Sequence, residues 1–381
     1  MPQDIVDGRI DEASVARVTD EDAERLARYR VRSGDIVYSR RGDIRRRVLI
    51  RGAQEGWLCG TGCLRVRIGR AADASYLAAY LGHPSVQAWI ERHAVGATMP
   101  NLNTSILGNV PVALPPISEQ QRIAAVLGAL DDKIDSNRRL AGALEETAAA
   151  LFRARFIDFL GVEDLRDTEA GPIPRGWKQG SLADLAKFVN GKAFTKDANG
   201  EGRPILRIKE LKSGVGDTTP WTDITAPEEN VARHHDILFA WSGSLDVYRW
   251  SGPEAVINQH IFKVVPNGYP AWFVFRWIHA HMPGFQAIAR DKATTMGHIQ
   301  RRHLAEAPVP IPDPETLAAA RDVVDPLDAQ TSVLAAETMT LTAVRDALLP
   351  RLVSGVIRVP ETDDPAEIIE PAALRVAAEA P

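Results

Sequence analysis

The sequence predicts an α+β chain: two mixed α/β domains, each followed by a long helix, with the two helices paired as a coiled coil. Three observations carry that prediction. The chain repeats itself at a fixed interval, each copy runs through strands before helices, and each copy closes on heptad-spaced apolar residues.

The repeat is plainest between ATMPNLNTSILGNVPVALPPISEQQRIAAVL, residues 97–127, and TTMGHIQRRHLAEAPVPIPDPETLAAARDVV, residues 294–324. Thr98-Met99 falls on Thr295-Met296, Leu107 on Leu304 and Leu114-Pro115 on Ile311-Pro312, all offset by 197. The same offset places Tyr76 on Phe273, Tyr80 on Trp277, Asp131 on Asp328 and Leu151 on Leu348. Further upstream SGDIVYSRRGDI (33–44) resembles HHDILFAWSGSL (234–245), now offset by 201. A period this long marks a duplicated domain and not a solenoid.

Each copy opens on short β-rich runs, DIVYS and CLRVRI in the first, PILRIK, DILFAW and HIFKVV in the second. An aromatic helical stretch follows, then a proline-punctuated exit, VPVALPP or APVPIPDP. The first long helix is expected over about 118–159, with Ser118 and Gln121 as a capping box. Its seam steps by four and three through Ile123, Leu127, Leu130, Ile134, Asn137, Ala141, Leu144, Ala148 and Leu151. Asn137 is the strongly polar member, the kind of residue that fixes register. The second helix is expected over about 314–353, with Asp313 as N-cap and Pro314 in the first turn. Leu317, Ala320, Val324, Leu327, Thr331, Leu334, Thr338, Leu341 and then Leu348 form its seam, and Pro326 is expected to kink or interrupt it. Two such seams in one chain most simply pair with each other. About 40 residues of helix would span roughly 60 Å.

At 381 residues the chain is long enough for two or three domains with their own cores. Cys59 and Cys63 make no disulfide framework, so a reducing cytoplasm is the expected setting. A signal peptide and a membrane-spanning apolar run are both absent from the pattern. Net charge is −5, but it is unevenly spread. Residues 28–70 hold twelve Arg against three acids, between an acidic N-terminal stretch and an acidic C-terminal one. A basic block of this kind is an electrostatic footprint for nucleic acid, or else a solvated charged face. No P-loop is present, GTGCLRVRIG (60–69) lacks dinucleotide-loop spacing, and no nucleophile elbow or Asn/Asp-Pro-Pro-Tyr/Phe motif occurs. Cys59 and Cys63 lack a second ligand pair, so no metal site is expected.

The stretch NVPVALPPISEQQRIAAVLGALDDKIDSNRRLAGALEETAAALFRARF resembles the central spacer of the specificity (S) subunits of type I restriction-modification systems. SGDIVYSRRGDI, GWLCGTGCLRVRI and GATMPNLN before it, and GWKQGSLADLAKFVNGKAF after it, carry the same likeness over about residues 15–355. The resemblance implies that each globule is a target-recognition domain reading one half of a split double-stranded DNA site. It implies that the two helices pack antiparallel as a spacer. It implies docking of two methyltransferase (M) subunits and of restriction/translocase (R) subunits. S-adenosylmethionine, ATP and Mg would belong to those partners, and this chain would be non-catalytic, with no cofactor of its own.

On this reading residues 1–114 form the first recognition domain, 115–160 the central spacer helix, 161–176 a linker, 177–312 the second recognition domain, 313–355 the C-terminal spacer helix and 356–381 a disordered acidic tail. The first domain is short at its N-terminal end by roughly 30 residues relative to the second, which would leave a sheet edge unpaired.

The sharpest candidates for DNA contact are Arg40, Arg41, Arg45, Arg46 and Arg47, set between strand-like runs around Gly42. Arg forks onto guanine or clamps phosphate, and most such contacts go to phosphate; a solvated hairpin would look the same. The matching stretch of the second copy offers Trp241, Ser242, Ser244 and Arg249, where Trp241 could equally be core. Lys192, Lys196, Arg207, Lys209 and Lys212 are phosphate-type candidates. Thr98, Asn101 and Asn103 in the first copy, and Thr295, His298, Gln300 and Arg301 in the second, fall where a loop could meet the groove, and turn or cap roles fit them equally.

Two other classes of function compete with recognition. A stand-alone nuclease or methyltransferase would need a catalytic motif. A coiled-coil adaptor with degenerate, non-DNA-reading globules would have no use for the arginine block.

Overall fold

The structure, a computed structural model, describes residues 1–6, 8–13, 15–96, 100–216, 218–291 and 297–359. Thr98, Thr295 and tail residues 360–381 lie outside the described residues. The chain forms two compact units, Met1–Ser136 with Thr338–Pro381, and Asn137–Glu337. Each long helix is therefore divided between the two.

In the first unit a small hairpin of β1 (Ile5–Val6) and β2 (Arg9–Ile10) precedes α1 (Asp20–Arg25). A three-stranded antiparallel sheet follows, built from β3 (Ile36–Ser39), β4 (Arg47–Leu49) and β5 (Cys63–Val66) in the order β4-β3-β5. β3 is central and all four of its residues are buried. Because successive side chains alternate faces, Ile36 and Tyr38 join Val86, Ile90 and Leu102, while Val37 joins Ile5, Val48, Ile50 and Cys63. The helices α2 (Ala74–Tyr80), α3 (Pro84–His93) and α4 (Thr104–Gly108) lead to the long α5 (Ile117–Phe152). His83 accepts from the Ser85 N–H ahead of Pro84, so the aromatic helix of this copy is broken in two.

The second unit opens with β6 (Leu165–Arg166), β7 (Ile173–Pro174), β8 (Lys178–Ser181), α6 (Leu182–Leu185), β9 (Ala186–Asn190), β10 (Arg203–Leu206), α7 (Ile208–Ser213) and β11 (Trp221–Thr222). It continues through β12 (Val231–Ala232), β13 (Ile237–Ala240), β14 (Asp246–Arg249), β15 (Ala255–Ile257), β16 (Ile261–Pro266), α8 (Ala271–Asp291), α9 (Arg301–Ala305) and β17 (Pro308–Ile311) into α10 (Pro314–Val353). Its main sheet is antiparallel, β14-β13-β16-β9, and a second sheet runs β11-β10-β15-β12 with β10 and β15 parallel. β13, β14 and β16 correspond to β3, β4 and β5. β16 has two strand neighbours, β13 and β9, whereas β5 has only β3 among the described residues. Phe262 and Val264 of β16 are buried, but Leu64 and Val66 of β5 are only partly so.

Within each unit the segments of α5 and α10 pack antiparallel. In the first, Ile123, Val126, Leu127 and Leu130 meet Val344, Leu348 and Leu352 with Leu341 alongside, and Arg345 ion-pairs with Asp131 at 3.0 Å. In the second, Asn137 donates from its amide to Glu337 at 2.8 Å, and Ala148 and Phe152 share a core with Ala320 and Val324, Leu327 packing alongside. Ile134 and Leu334 are buried and Leu144 is half-buried. Leu151 departs from the expected seam: it is exposed, and Phe152 is buried in its place. A helix turning every 3.6 residues drifts off a 3.5-residue seam, and here the drift delivers Phe152 to an aromatic cluster with Phe156, Trp177, Phe273 and Trp277. α5 passes at Phe152 into a π-helical turn, Arg153–Ile157, so helical structure reaches close to the expected end at about 159.

The capping box expected at Ser118 and Gln121 is not what holds the start of α5. Both are exposed. The buried neighbour Gln120 accepts from the Asp73 N–H at 2.8 Å and donates to the carbonyls of Pro115 and Ala71. At α10, Asp313 accepts from the Thr316 N–H and hydroxyl, both at 2.8 Å. Pro326 does not interrupt that helix; its ring lies on the exposed side.

Candidate nucleic-acid interface

In each unit the loop that leaves the central strand is stitched to the loop that precedes the short helix ahead of the Pro-rich exit. In the first unit the Leu102 N–H donates to the Arg40 carbonyl at 2.9 Å, and Arg41 bridges to Asn101. In the second the Ile299 N–H donates to the Trp241 carbonyl at 3.1 Å, and Ser242 bridges to His298. The turn needs a left-handed residue next, and both copies supply glycine there, Gly42 at φ 76° and Gly243 at φ 69°. One residue further on but one, Ile44 and Leu245 plug the core beneath. A third loop closes each rim: the Arg40 N–H donates to the Gly62 carbonyl at 2.8 Å, and the Trp241 N–H to the His260 carbonyl at 3.1 Å. The structure thus brings Arg40, Arg41 and Asn101 together on one rim, and Trp241, Ser242 and His298 on the other.

The side chains on the two rims differ sharply. Arg41 is exposed and its guanidinium has no protein partner among the described residues. Arg40 is half-buried, and neither its Nε nor the Asn101 Oδ1 has a hydrogen-bond partner. On the second rim the Trp241 ring lies 5.1 Å from His260, 5.6 Å from Phe262 and 6.3 Å from His298. Trp241 Nε1, His260 Nδ1 and Asn258 Oδ1 are buried without partners. Ser242 is itself buried, so its contribution to the rim is backbone.

Five candidates from the sequence prove to be engaged elsewhere. Arg47 turns inward: its Nε donates to the Ala78 carbonyl at 3.3 Å, and burial pushes its pKa down. Arg249 also turns inward, ion-pairing with Asp328 on α10 with its guanidinium 4.8 Å from the Phe275 ring; burial pushes its pKa down to about 10. Both stand on the strand after the loop, on the face that packs against helices. Arg207 forks onto the buried Glu210 at 2.6 and 3.0 Å and also reaches the Thr218 carbonyl. Asn103 is an N-cap, accepting from the Ile106 N–H at 2.8 Å. Arg301 donates from Nη2 to the Phe188 carbonyl at 2.9 Å, with its guanidinium 5.7 Å from the Phe262 ring.

The others remain on the surface. Arg45 pairs with Glu91 and Arg46 with Asp43, but exposed pairs of this kind are worth roughly 0–1 kcal/mol and exchange readily for phosphate. Lys192, Lys196 and Lys212 are exposed, and Lys209 donates to the Thr218 hydroxyl at 2.5 Å. Lys192 bridges to Asn258, which places it beside the second rim. Sequence reasoning missed His260, Asn258 and Gln120. HIFKVV reads as a strand from its first residue, whereas His260 is the turn before it, at φ 74°.

Two β-sheet modules present equivalent loops, each followed by a Pro-rich exit and a long helix, so the chain is a duplicated two-domain protein. The chain belongs to the type I restriction modification DNA specificity domain family, whose model matches residues 8–146 and 174–342. It is 28% identical over 288 residues to the type I restriction enzyme MjaIX specificity subunit of Methanocaldococcus jannaschii, a match covering 70% of this chain and 65% of that protein. It is 22% identical over 373 residues to the putative MjaX specificity subunit of the same organism, covering 93% and 86%. Among solved structures, the type I restriction-modification S subunit from M. genitalium is 17% identical, covers 85% of this chain and 84% of that one, and gives a TM-score of 0.49.

Proposed function

We propose that the chain is the DNA sequence-recognition subunit of a type I restriction-modification complex and is itself non-catalytic. Family membership supports this, and one structural observation carries it: the same backbone bridges build the same rim twice, Arg41 to Asn101 and Ser242 to His298, with exchanged side chains. A split DNA site with two different halves requires that combination of constant frame and variable surface. Arg40, Arg41 and Asn101 then read or clamp one half, and Trp241, His298 and neighbouring Lys192 the other. Phosphate contacts fall to Arg45, Arg46, Lys196, Lys209 and Lys212.

The paired helices act as the spacer between halves and as the seat for two methyltransferase subunits, with restriction/translocase subunits joining the holoenzyme. S-adenosylmethionine, ATP and Mg are used by those partners, in the cytoplasm. No helix among the described residues is long and apolar enough to cross a membrane.

Footprinting of the chain reconstituted with its methyltransferase partner tests the proposal. Two protected half-sites about one helical turn apart, roughly 34–36 Å, are expected. One continuous footprint, or none, would point to an adaptor with non-reading globules.

A further inference from the structure

The second rim carries a side chain that its backbone conformation disfavours. His260 sits at φ 74°, a region that glycine enters freely and a β-carbon resists. The turn does not need an imidazole: at the corresponding point of the first rim, Gly62 supplies the same carbonyl to the same strand-exit amide. The His260 ring is packed 5.1 Å from Trp241, and its Nδ1 and the indole Nε1 both lack partners. Asn258, two residues back and 7% exposed, leaves its Oδ1 unpartnered as well. Three polar atoms without partners therefore gather on one rim, around a residue held in a costly conformation.

We propose that His260, backed by the Trp241 indole, is a specificity-determining residue of the second recognition domain and contacts a base edge of its half-site. The inference rests on the recognition role proposed above. An imidazole can donate to or accept from a base edge in the major groove, whereas a phosphate clamp would call for Lys or Arg. The two domains then read by different chemistry: guanidinium and amide groups on the first rim, imidazole and indole on the second.

The test uses the full chain assembled with its methyltransferase partner and a library of random-sequence duplexes. Bound duplexes are selected and sequenced for the parent chain and for His260→Gly, and both proteins are melted. Glycine relieves the left-handed conformation, so the variant is expected to melt at or above the temperature of the parent. Discrimination at one or two base pairs of a single half-site should nevertheless fall by about tenfold or more, while the other half is selected as before. A structural role would give the reverse, a lower melting temperature with both halves still selected, and would overturn the proposal. Unchanged selection at both halves would overturn it too. A parent complex that selects no bipartite sequence would instead remove the recognition role on which the inference stands.

Discussion

Arg249 shows how a residue of the right type in the right stretch can serve the frame instead of the ligand. Its guanidinium lies 4.8 Å from the Phe275 ring and pairs with Asp328, so it holds the strand behind the reading loop against α10. Breaking a half-buried pair on one side leaves the other charge poorly matched. Arg249→Met is expected to destabilise the chain by about 1–2 kcal/mol in thermal or urea unfolding, and Asp328→Leu added to it should recover most of that loss. If the double variant is no more stable than the single one, the pair is not what holds the strand. The sequence placed Arg40, Arg41 and Arg249 in reading loops by their spacing, and it could do no more. Whether an arginine points to solvent or inward depends on strand parity and on which helix covers the sheet. Arg41 follows β3 in the turn, while Arg47 lies opposite Tyr38 and Arg249 opposite Ile237, on the sheet faces that pack against helices.

At the level of elements, periodic features were legible and terminal ones were not. The heptad seams of α5 and α10 located the buried face over most of each helix, since periodicity averages over many residues. Leu151 fell outside because a straight helix drifts from that seam, and no local signal marks where the drift wins. Gln120 was passed over because its partners, Asp73 and Ala71, are far away in the chain. The N-cap of α10 was readable because its whole mechanism is local. The Thr316 N–H and hydroxyl hold the Asp313 carboxyl below the usual carboxylate range. Asp313→Ala should therefore lower stability by about 1 kcal/mol near neutral pH. The sign follows from a depressed folded-state pKa: the contribution is complete above the ordinary value near 4 and is lost as pH falls through the lower folded value. Unfolding measured against pH should show parent and variant converging in strong acid. A constant gap down to pH 2 would exclude the cap as its source.

For the molecule as a whole, duplication separates what is kept from what is varied. The bridges, the left-handed glycines and the core plugs Ile44 and Leu245 recur, while the rim side chains do not. Because the rims belong to separate compact units, changes on one should leave the other untouched. Giving the first rim the residues of the second, by Arg41→Ser with Asn101→His, is expected to alter the bases selected at one half-site only. Selection from random duplexes by the reconstituted complex reads this directly, and a shift at both halves would contradict independent reading.

The way the units are divided also bears on how the chain is made. The first unit draws on residues up to Ser136 and resumes only at Thr338. Ile123, Val126, Leu127 and Leu130 thus wait for Val344, Leu348 and Leu352 until the ribosome has finished the whole second unit. At roughly 5–20 residues per second, that is a delay on the order of ten to forty seconds. Throughout it an apolar helical stripe stands open on the nascent chain, and it closes only on residues synthesised after the second unit.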